Sequence, residues 1–238
     1  MNDFFGKVAL ITGAAGNLGR ATTHAFRDRG AKLILVDHAI ERLQAEYSAI
    51  AAESEVYLSD STDLRNPDQI TKVIEEAIKS FEKIDVLVNI TGGYRAGKQF
   101  HHTELETLEY LFDLNVKTLF NTSRLVIPHM LAQESGNIIN VGARAGLMGS
   151  SKMGAYSAAK SAVLRLTESM AAELKGKGIR VNSILPGTID TPNNREDMPK
   201  ADFSRWVKPE AIAEVILFLA SDSSRAITGA HIPTYGRG

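Results

Sequence analysis

The sequence has no cysteine, and this absence excludes disulfide-stabilised scaffolds, zinc sites built from thiolates and catalysis by a cysteine nucleophile. It also has no excess of one charge, because 27 Lys and Arg residues stand against 28 Asp and Glu residues, for a formal net charge of -1. Proteins that bind nucleic acid through their charge usually carry a basic excess or a basic stripe. We therefore expect no nucleic-acid partner.

Long hydrophobic runs are also missing. The longest apolar stretches, residues 8–11 and 211–220, are too short or too interrupted to span a bilayer. The first residues lack the basic region and the long apolar core of a signal peptide. These absences predict a cytoplasmic protein with no membrane partner.

The composition that remains is typical of an ordinary globular domain. The 238 residues are 44% hydrophobic and 23% charged, which gives enough length and apolar content to bury a core. No internal repeat, low-complexity tract or linker divides the chain. We expect one domain over residues 1–238.

Short apolar runs alternate with longer amphipathic segments along the chain. Runs rich in Val, Ile and Leu predict buried strands at residues 8–12, 32–36, 84–89, 136–141 and 179–185, with a weaker strand at 55–59. Helical spacing predicts helices over residues 17–29, 39–52, 67–81, 107–133, 153–175 and 209–220. This alternation predicts an α/β fold, a doubly wound parallel sheet of about seven strands with helices on both faces. The irregular stretch 187–207, rich in Pro, Asn and charge, predicts a substrate loop or lid.

A glycine-rich turn, residues 12–19 (TGAAGNLG), follows the first predicted strand and precedes the first predicted helix. Glycine lets the chain turn tightly and lets backbone N–H groups approach a pyrophosphate at the positive end of that helix. Asp37 ends the second predicted strand roughly 20 residues further on, where a carboxylate holds the ribose hydroxyls of a dinucleotide. A carboxylate there repels a 2′-phosphate, so the pattern favours NAD(H) over NADP(H). The alternative is a structural turn with a solvated aspartate.

Tyr156 and Lys160 are four residues apart on a predicted helix and therefore share one face. A free tyrosine loses its proton near pH ~10, and a neighbouring cation favours the phenolate. Such a pair can therefore act as a general acid and base near neutral pH. The spacing is common, and on its own it is more typical of a surface pair on a helix.

Together with the order of the predicted elements, these motifs closely resemble the short-chain dehydrogenase/reductase family, essentially end to end. The resemblance implies a Rossmann-type fold and hydride transfer directly between a nicotinamide and a small-molecule substrate. It implies that Tyr156 is the acid/base, that Lys160 binds the nicotinamide ribose and lowers the pKa of the tyrosine, and that Asn115 relays protons to the lysine. The cofactor-binding residues that it implies are Gly13, Asn17, Leu18, Gly19, Asp37, Asp60, Ser61, Asn89, Tyr156, Lys160, Pro186, Ile189 and Thr191.

The resemblance also bears on assembly. Residues 111–125 form either a core helix or part of a subunit contact, and related enzymes usually assemble through such helices. The resemblance therefore implies a homo-oligomer, a tetramer or a dimer.

One family residue is missing, because Ala143 stands where the family has a catalytic serine that donates a hydrogen bond to the substrate oxygen. Losing one such donor typically costs ~3–4 kcal/mol, or about 10²–10³ in rate. Three explanations remain open. Ser150 or Ser151 replaces the hydroxyl, the substrate is reduced easily enough to need only the tyrosine, or the protein binds NAD without turnover.

A narrower resemblance, to the dihydropteridine reductases, supports the second explanation, since those enzymes also lack the serine. It rests on residues 142–145 (GARA), 153–160, 190–195 (DTPNNR) and 198–206 (MPKADFSRW). The turn that ends in Tyr94 resembles a Gly-Gly-Trp turn near the substrate of those enzymes, whereas Asn115 and the Asn89 segment resemble the commoner branch of the family. This resemblance implies a quinonoid dihydropteridine or a quinone as substrate, in a pocket formed by Tyr94, Ala143 and Met153.

Two other function classes stay open. The first is an ordinary carbonyl reductase or alcohol dehydrogenase, including activity like that of a 3-oxoacyl reductase, with Ser150 or Ser151 replacing the missing serine. The second is an NAD-sensing binding module, against which the intact Tyr156, Lys160 and Asn115 argue.

A few further residues have both a functional and an ordinary interpretation. His101 and His102 lack a third ligand at a suitable spacing, so we expect no metal site. Arg144 and Arg195 either meet an anionic substrate or are exposed arginines without a special role. Trp206 either covers the substrate pocket or packs the lid.

Overall fold

A computed structural model describes residues 3–237. It contains the strands β1 (Val8–Thr12), β2 (Lys32–Val36), β3 (Val56–Leu58), β4 (Val86–Asn89), β5 (Gly136–Val141), β6 (Ile179–Pro186) and β7 (His231–Thr234). They form one sheet in the order β3-β2-β1-β4-β5-β6-β7, and every neighbouring pair is parallel. The predicted parallel α/β fold is confirmed.

Helices cover both faces of this sheet. They are α1 (Asn17–Arg27), α2 (Ile40–Tyr47), α3 (Pro67–Phe81), α4 (Leu105–Phe112), α5 (Thr118–Ala132), α6 (Gly154–Leu174), α7 (Pro192–Asp197) and α8 (Pro209–Ala220). Buried side chains of α1, α2 and α8 belong to the core on one face, and those of α3, α5 and α6 belong to the core on the other. In the part of the chain described, no helix combines the length and apolar content needed to cross a membrane.

The first strand shows why these runs are continuously apolar. All five residues of β1 are buried. Ala9 and Ile11 lie in one core, and Val8 and Leu10 lie in the other, because successive side chains of a strand point to opposite faces. A strand that is covered on both faces needs apolar residues at every position.

The strand order places the candidate site. It reverses at β1, with β2 and β3 on one side and β4 to β7 on the other. In open parallel sheets, ligands bind in the crevice at the carboxyl ends of the strands beside such a reversal. The segments that follow β1, β2, β4, β5 and β6 carry the predicted site residues and leave the sheet at this edge.

The single helix predicted over residues 107–133 is instead two helices, α4 and α5, joined by a π-helical turn at Asp113–Lys117. A π-helical turn widens a helix locally, and such turns are frequent at functional sites. Asn115 lies in this turn, with its side chain buried. Apolar residues continue through the turn, so their spacing predicted one helix.

Two features near the C-terminus also differ from expectation. β7 was not predicted, because it is short and contains Pro233; proline is tolerated on an edge strand, which is where β7 lies. The stretch 187–207, predicted as irregular, contains α7 and a 3-10 turn at Phe203–Arg205. A β-bridge between Ile189 and Val207 closes this excursion.

Candidate active site

The turn between β1 and α1 is very tightly built. Gly13 has a φ of +66°, and a Cβ there would lie 3.1 Å from the backbone nitrogen of Thr91. A Cβ on Gly19 would lie 2.8 Å from the Cα of Ala14. A larger residue at Gly19 would therefore displace the backbone of the turn, which explains the glycine spacing.

The start of α1 leaves backbone donors unpaired. Gly16 at the N-cap makes no side-chain cap, and the first turn contains no acidic residue. The first N–H groups of a helix have no partner within the helix and carry the positive end of its dipole. The N–H groups of Asn17, Leu18 and Gly19 are thus suited to bind an anion such as a pyrophosphate.

Asp37 follows β2 and is fixed against this turn. Its side chain is buried, with Oδ2 accepting a hydrogen bond from the N–H of Ala15 at 3.0 Å and Oδ1 accepting one from the N–H of Ala39 at 3.1 Å. Arg42 braces the same turn by donating to the carbonyl of Ala15 at 3.2 Å. The carboxylate therefore holds a defined position beside the anion-binding N–H groups.

Asp60 and Ser61, which follow β3, are exposed beside the Asp37 segment. Ser61 Oγ donates to the carbonyl of His38 at 2.6 Å, and the N–H of Thr62 donates to the carbonyl of Asp37 at 3.0 Å. The structure thus brings Asp37, Asp60 and Ser61 to one edge of the sheet.

Asn89, at the end of β4, belongs to a buried polar network. Its Nδ2 donates to Asn140 Oδ1 at 2.9 Å and to Ser123 Oγ at 3.1 Å. Asn140 Nδ2 in turn donates to Thr167 Oγ1 on α6 at 2.9 Å. The side chain of Asn89 therefore ties β4 to β5, α5 and α6, and its Oδ1 is buried without a partner among the described residues.

Tyr156 lies in the first turn of α6, and its ring contacts Tyr94 edge to face. The ring centroids are 4.9 Å apart at an interplanar angle of 79°. Burial raises the pKa of Tyr156 to about 12, with a smaller upward contribution from Tyr94. The phenol is therefore protonated at neutral pH and able to donate a proton. Tyr94 itself is 66% exposed, so one face of the pair is open to a ligand.

Lys160 is one helical turn beyond Tyr156 and is almost fully buried. Its Nζ donates to the carbonyl of Val141 at 2.9 Å. Burial lowers the pKa of Lys160 to about 8. The resemblance implied that Lys160 lowers the pKa of Tyr156, but the shift of this pKa is upward and is caused by burial of the phenol and by Tyr94.

Asn115 and Lys160 meet at Gly92. A Cβ on Gly92 would lie 2.7 Å from Asn115 Oδ1 and 3.4 Å from Lys160 Nζ, so only glycine fits between them. Asn115 Oδ1 accepts from the N–H of Gly93 at 3.2 Å, and its Nδ2 donates to the carbonyls of Gly93 at 3.1 Å and Leu111 at 3.0 Å. The π-helical turn thus fixes the chain between β4 and Tyr94.

Ala143 follows β5 and is buried, so a methyl group occupies the place of the family serine. Gly142 cannot supply a replacement, because a Cβ there would lie 2.9 Å from Leu164 Cδ2. Ser150 and Ser151 are exposed, and neither hydroxyl makes a hydrogen bond within residues 3–237. Met153 is half-buried just before α6.

The segment after β6 carries the last predicted cofactor residues. Pro186 ends β6, Ile189 pairs with Val207, and Thr191 caps α7 by accepting from the N–H of Asn194 at 3.2 Å. The structure brings this segment to the carboxyl edge of the sheet, on the far side of β5 from the glycine turn.

Arg195 and Trp206 are engaged within the 187–207 segment. Arg195 Nε and Nη2 donate to the carboxylate of Asp190 at 2.6 and 2.8 Å, and its guanidinium lies 4.7 Å from the centroid of the Phe203 ring. Trp206 packs against Phe203 with ring centroids 4.8 Å apart. These contacts favour the interpretation that both residues pack the segment.

The other residues singled out in the sequence do not join the site. The rings of His101 and His102 stack on each other at 4.1 Å, and the guanidinium of Arg144 lies 5.1 Å from the centroid of the Tyr235 ring. Within residues 3–237, no group of three or more His, Asp or Glu side chains could hold a metal ion.

Two residues that stabilise the glycine turn by hydrogen bonds, Thr12 and Tyr47, were not predicted from the sequence. Thr12 Oγ1 accepts from the N–H groups of Ile90 at 3.0 Å and Thr91 at 3.2 Å. Tyr47 of α2 donates its hydroxyl proton to the carbonyl of Ala14 at 2.8 Å. Thr12 could have been found as the polar residue that ends an apolar strand, whereas nothing in the sequence marks Tyr47.

Comparison with known proteins supports what this geometry indicates. The family described as short chain dehydrogenase matches residues 7–202. The 3-oxoacyl-(acyl-carrier-protein) reductase FabG of Thermotoga maritima is 38% identical over 235 residues, 94% of each chain. The dehydrogenase/reductase SDR family member 6 of Rattus norvegicus is 36% identical over 239 residues, also 94% of each chain. The 7alpha-hydroxysteroid dehydrogenase of Bacteroides fragilis is 34% identical over 253 residues, 99% of this chain and 95% of that one.

Solved structures share the same architecture. An NAD+-bound xylitol dehydrogenase superposes with a TM-score of 0.90 at 27% identity, over 98% of this chain and 99% of that one. The structure of ElxO with NADP bound has a TM-score of 0.89 at 24% identity, over 97% of each chain, and shares the fold. With the glycine turn, the Tyr156–Lys160 pair and relatives above 30% identity over almost the whole chain, this protein belongs to the short-chain dehydrogenase/reductase family of oxidoreductases.

Proposed function

We propose that the chain is an NAD(H)-dependent oxidoreductase whose preferred acceptor is a readily reduced conjugated compound, such as a quinonoid dihydropteridine or a quinone. The observation that carries this proposal is Ala143. Tyr156 has a protonated phenol and an aromatic neighbour, but a buried methyl group stands where relatives of this type place a second hydroxyl. A site with one proton donor suits an acceptor that needs little help to take up a hydride.

The residues around the glycine turn fit a nicotinamide dinucleotide. Enzymes of this family generally bind one, and the uncapped start of α1 matches the charge of its pyrophosphate. The buried carboxylate of Asp37 favours the unphosphorylated form, because a 2′-phosphate beside it would meet a negative charge. The bound nicotinamide would supply or accept the hydride.

The residues of the chain would supply the proton and hold the reacting groups. As the acceptor gains a hydride, Tyr156 donates its phenolic proton to the oxygen or nitrogen that becomes negative, so the product leaves neutral. Lys160, one helical turn away, would bind the nicotinamide ribose as the resemblance implies, and solvent then returns the proton to Tyr156. Asn115 acts through the backbone, by holding the Gly92–Gly93 segment next to Lys160.

NADH is expected to bind at least about tenfold more tightly than NADPH, because Asp37 pairs with ribose hydroxyls and repels a phosphate. Fluorescence titration of both cofactors measures this. Asp37→Ser should reduce the ratio of NADH affinity to NADPH affinity. Arg42→Gln should leave this ratio unchanged. Tighter binding of NADPH, or a loss of NADPH affinity in Arg42→Gln, would contradict the assignment and make Arg42 a phosphate ligand.

The substitution Ala143→Ser tests the proposed substrate class. A serine there restores the second donor, so reduction of a simple ketone should rise about tenfold, which corresponds to ~1.4 kcal/mol of transition-state stabilisation. Turnover of quinonoid dihydropteridine or a quinone should stay flat or fall, because the added hydroxyl enters a packed position. Both are measured as NADH oxidation.

The control for this experiment is the pair Ser150→Ala and Ser151→Ala. Neither change should affect turnover, since both hydroxyls are exposed and unbonded in the described chain. A large loss with either change, or an equal gain for both substrate classes in Ala143→Ser, would overturn the quinonoid assignment.

A second candidate function has its own support. The relatives named above include a 3-oxoacyl-(acyl-carrier-protein) reductase and a 7alpha-hydroxysteroid dehydrogenase, proteins whose names indicate carbonyl and alcohol chemistry. An ordinary carbonyl reductase or alcohol dehydrogenase is therefore the alternative, and the Ser150 and Ser151 variants separate it from the first.

We also infer that the enzyme assembles as a homo-oligomer through α4 and α5. Leu111 and Leu119 on these helices are buried in the core, while Phe112 and Phe120 are 36% and 50% exposed. The predicted segment 111–125 therefore has both a core face and an apolar outer face, which suits a subunit contact.

A further inference from the structure

A cavity of about 240 Å³ lies beside the candidate active site. Arg95, the residue after Tyr94, lines one side, and Met153 and Ala155, just before Tyr156, line the other. The same two stretches of chain thus form the Tyr94–Tyr156 contact and the walls of this cavity. We call it the Arg95–Lys152 pocket after its two cations.

The charge of the pocket is positive. Its ionisable residues are Arg95, Lys98, Lys152 and Glu104, and Lys98 forms an ion pair with Glu104. Arg95 and Lys152 form no ion pair with any residue in the range 3–237. Two cations therefore remain uncompensated in a small concave space.

The Arg95 guanidinium is held in place without using its donors. Its Cζ lies 4.0 Å from the centroid of the Tyr110 ring, which is a cation–π contact. The N–H groups of a guanidinium lie in its plane and match the oxygens of a carboxylate or phosphate. The guanidinium N–H groups of Arg95, which is exposed, therefore remain available to an oxyanion.

Lys152 is held in the wall by an unusual backbone conformation. Its φ of +62° is in the left-handed region, which only a few non-glycine residues adopt. Its carbonyl accepts from the N–H of Gly97 at 2.9 Å, which joins the two walls. Glycine would adopt this conformation more easily than lysine does.

The start of α6 adds to the positive potential. Gly154 and Ala155 line the pocket, the N-cap Met153 makes no side-chain cap, and the first turn has no acidic residue. The unpaired N–H groups and the helix dipole at this end favour an anion. Two independent features, the two cations without an ion pair and the uncapped start of α6, therefore point to the same ligand charge.

We propose that the Arg95–Lys152 pocket binds an oxyanion group of the substrate, a carboxylate, sulfonate or phosphate, while the reacting group lies against Tyr156. This inference rests on the proposed function of the neighbouring site and narrows its substrate class. The acceptor is an anionic compound whose charged group lies a short distance from the centre that receives the hydride.

The test compares matched anionic and neutral acceptors: acetoacetate with methyl acetoacetate, and 1,4-naphthoquinone-2-sulfonate with 1,4-naphthoquinone. For each pair, the ratio of kcat/KM values is measured in the wild-type enzyme and in the double variant Arg95→Gln/Lys152→Gln. Intrinsic reactivities cancel when the two ratios are compared. The ratio should fall by about tenfold or more in the double variant, mainly through KM of the anionic acceptor.

The control is the double variant Arg225→Gln/Lys72→Gln, which removes the same charge from exposed positions after α8 and on α3. Its ratio should equal that of the wild type. A ratio that falls equally in both double variants would mean that only net charge attracts the anion, and an unchanged ratio in Arg95→Gln/Lys152→Gln would mean that the pocket does not bind it. Either result overturns the inference.

A binding measurement separates this inference from the proposed function. Calorimetric titration of the NAD+-loaded protein with acetoacetate and with the naphthoquinone sulfonate should show an affinity that drops about tenfold in Arg95→Gln/Lys152→Gln. If no acceptor is turned over but this drop is observed, the proposed function fails and the anion site stands. If neither anion binds the wild-type protein, or if each anion binds the variant as tightly as it binds the wild type, the proposed anion site is wrong.

Discussion

Replacing Tyr156 with phenylalanine is expected to lower turnover by about 10²-fold or more. The substitution keeps the ring and its edge-to-face contact with Tyr94 but removes the only proton donor assigned to the reacting centre. Affinity for NADH should change by less than about twofold, because the binding contacts of the cofactor lie mainly elsewhere. Steady-state kinetics and NADH fluorescence measure the two quantities separately.

The matched control is Tyr94→Phe, which makes the same chemical change on the partner ring. Tyr94 is exposed and has no hydrogen bond assigned to its hydroxyl, so its loss should cost little turnover. If Tyr94→Phe were as damaging as Tyr156→Phe, the proton would come through Tyr94. If neither Tyr94→Phe nor Tyr156→Phe lowered turnover, the assignment of general acid catalysis to this pair would be wrong.

Replacing Lys160 with methionine should make the protein more stable and less active. Burial lowers the pKa of Lys160 from its ordinary value of 10.5 to about 8, so the charged form is disfavoured in the fold. At pH 7 this cost is up to ~3 kcal/mol, and it is partly offset by the hydrogen bond to Val141. We expect the free energy of unfolding to rise by about 1–2 kcal/mol, while turnover falls by about tenfold or more.

The pH dependence of this gain has a definite sign. Because the folded pKa lies below the unfolded one, the cost of burying the ammonium is fully present below pH ~8 and disappears as the pH rises toward the unfolded value. Urea unfolding should therefore show the advantage of Lys160→Met at pH ~7 and little advantage at pH ~10.5. The exposed Lys177→Met should show no such trend. An advantage for Lys160→Met that is independent of pH would refute the charge-burial explanation.

The predicted strands agree closely with the structure, because their apolar runs have a single physical cause. A strand covered on both faces must be apolar throughout, and β1, β2 and β5 have the predicted bounds. β7 was not predicted because an edge strand need not be apolar at every position and tolerates Pro233. The division of the predicted helix 107–133 at Asn115 was not predicted, because apolar residues continue through the π-helical turn.

The membership of the candidate site stays a prediction, whereas the structure bears on its electrostatics. The resemblance implied a substrate pocket formed by Tyr94, Ala143 and Met153 beside the catalytic Tyr156, and the structure shows a ring contact between Tyr94 and Tyr156. It also implied that Lys160 lowers the pKa of Tyr156, whereas burial raises it. Spacing along a helix predicts which groups share a face, but the cost of removing them from water depends on the surrounding fold.

The Arg95–Lys152 pocket could not be predicted from the sequence, for a different reason. Arg95 and Lys152 are far apart in the sequence and lie in loops, where no periodicity predicts a neighbour. The backbone hydrogen bond from Gly97 to Lys152 and the ring contact between Tyr94 and Tyr156 bring the two cations to one cavity.

The most direct test of the central claim, that a single proton donor serves a readily reduced acceptor, uses the unmodified chain. NADH oxidation is followed with quinonoid dihydropteridine, a quinone and a simple ketone side by side. If Tyr156 is the single proton donor, NADH oxidation should be fast with the quinonoid compound or the quinone and slow with the ketone. Faster turnover of the ketone would contradict the single-donor site, and binding of NADH without oxidation by any acceptor would make the protein a binding module.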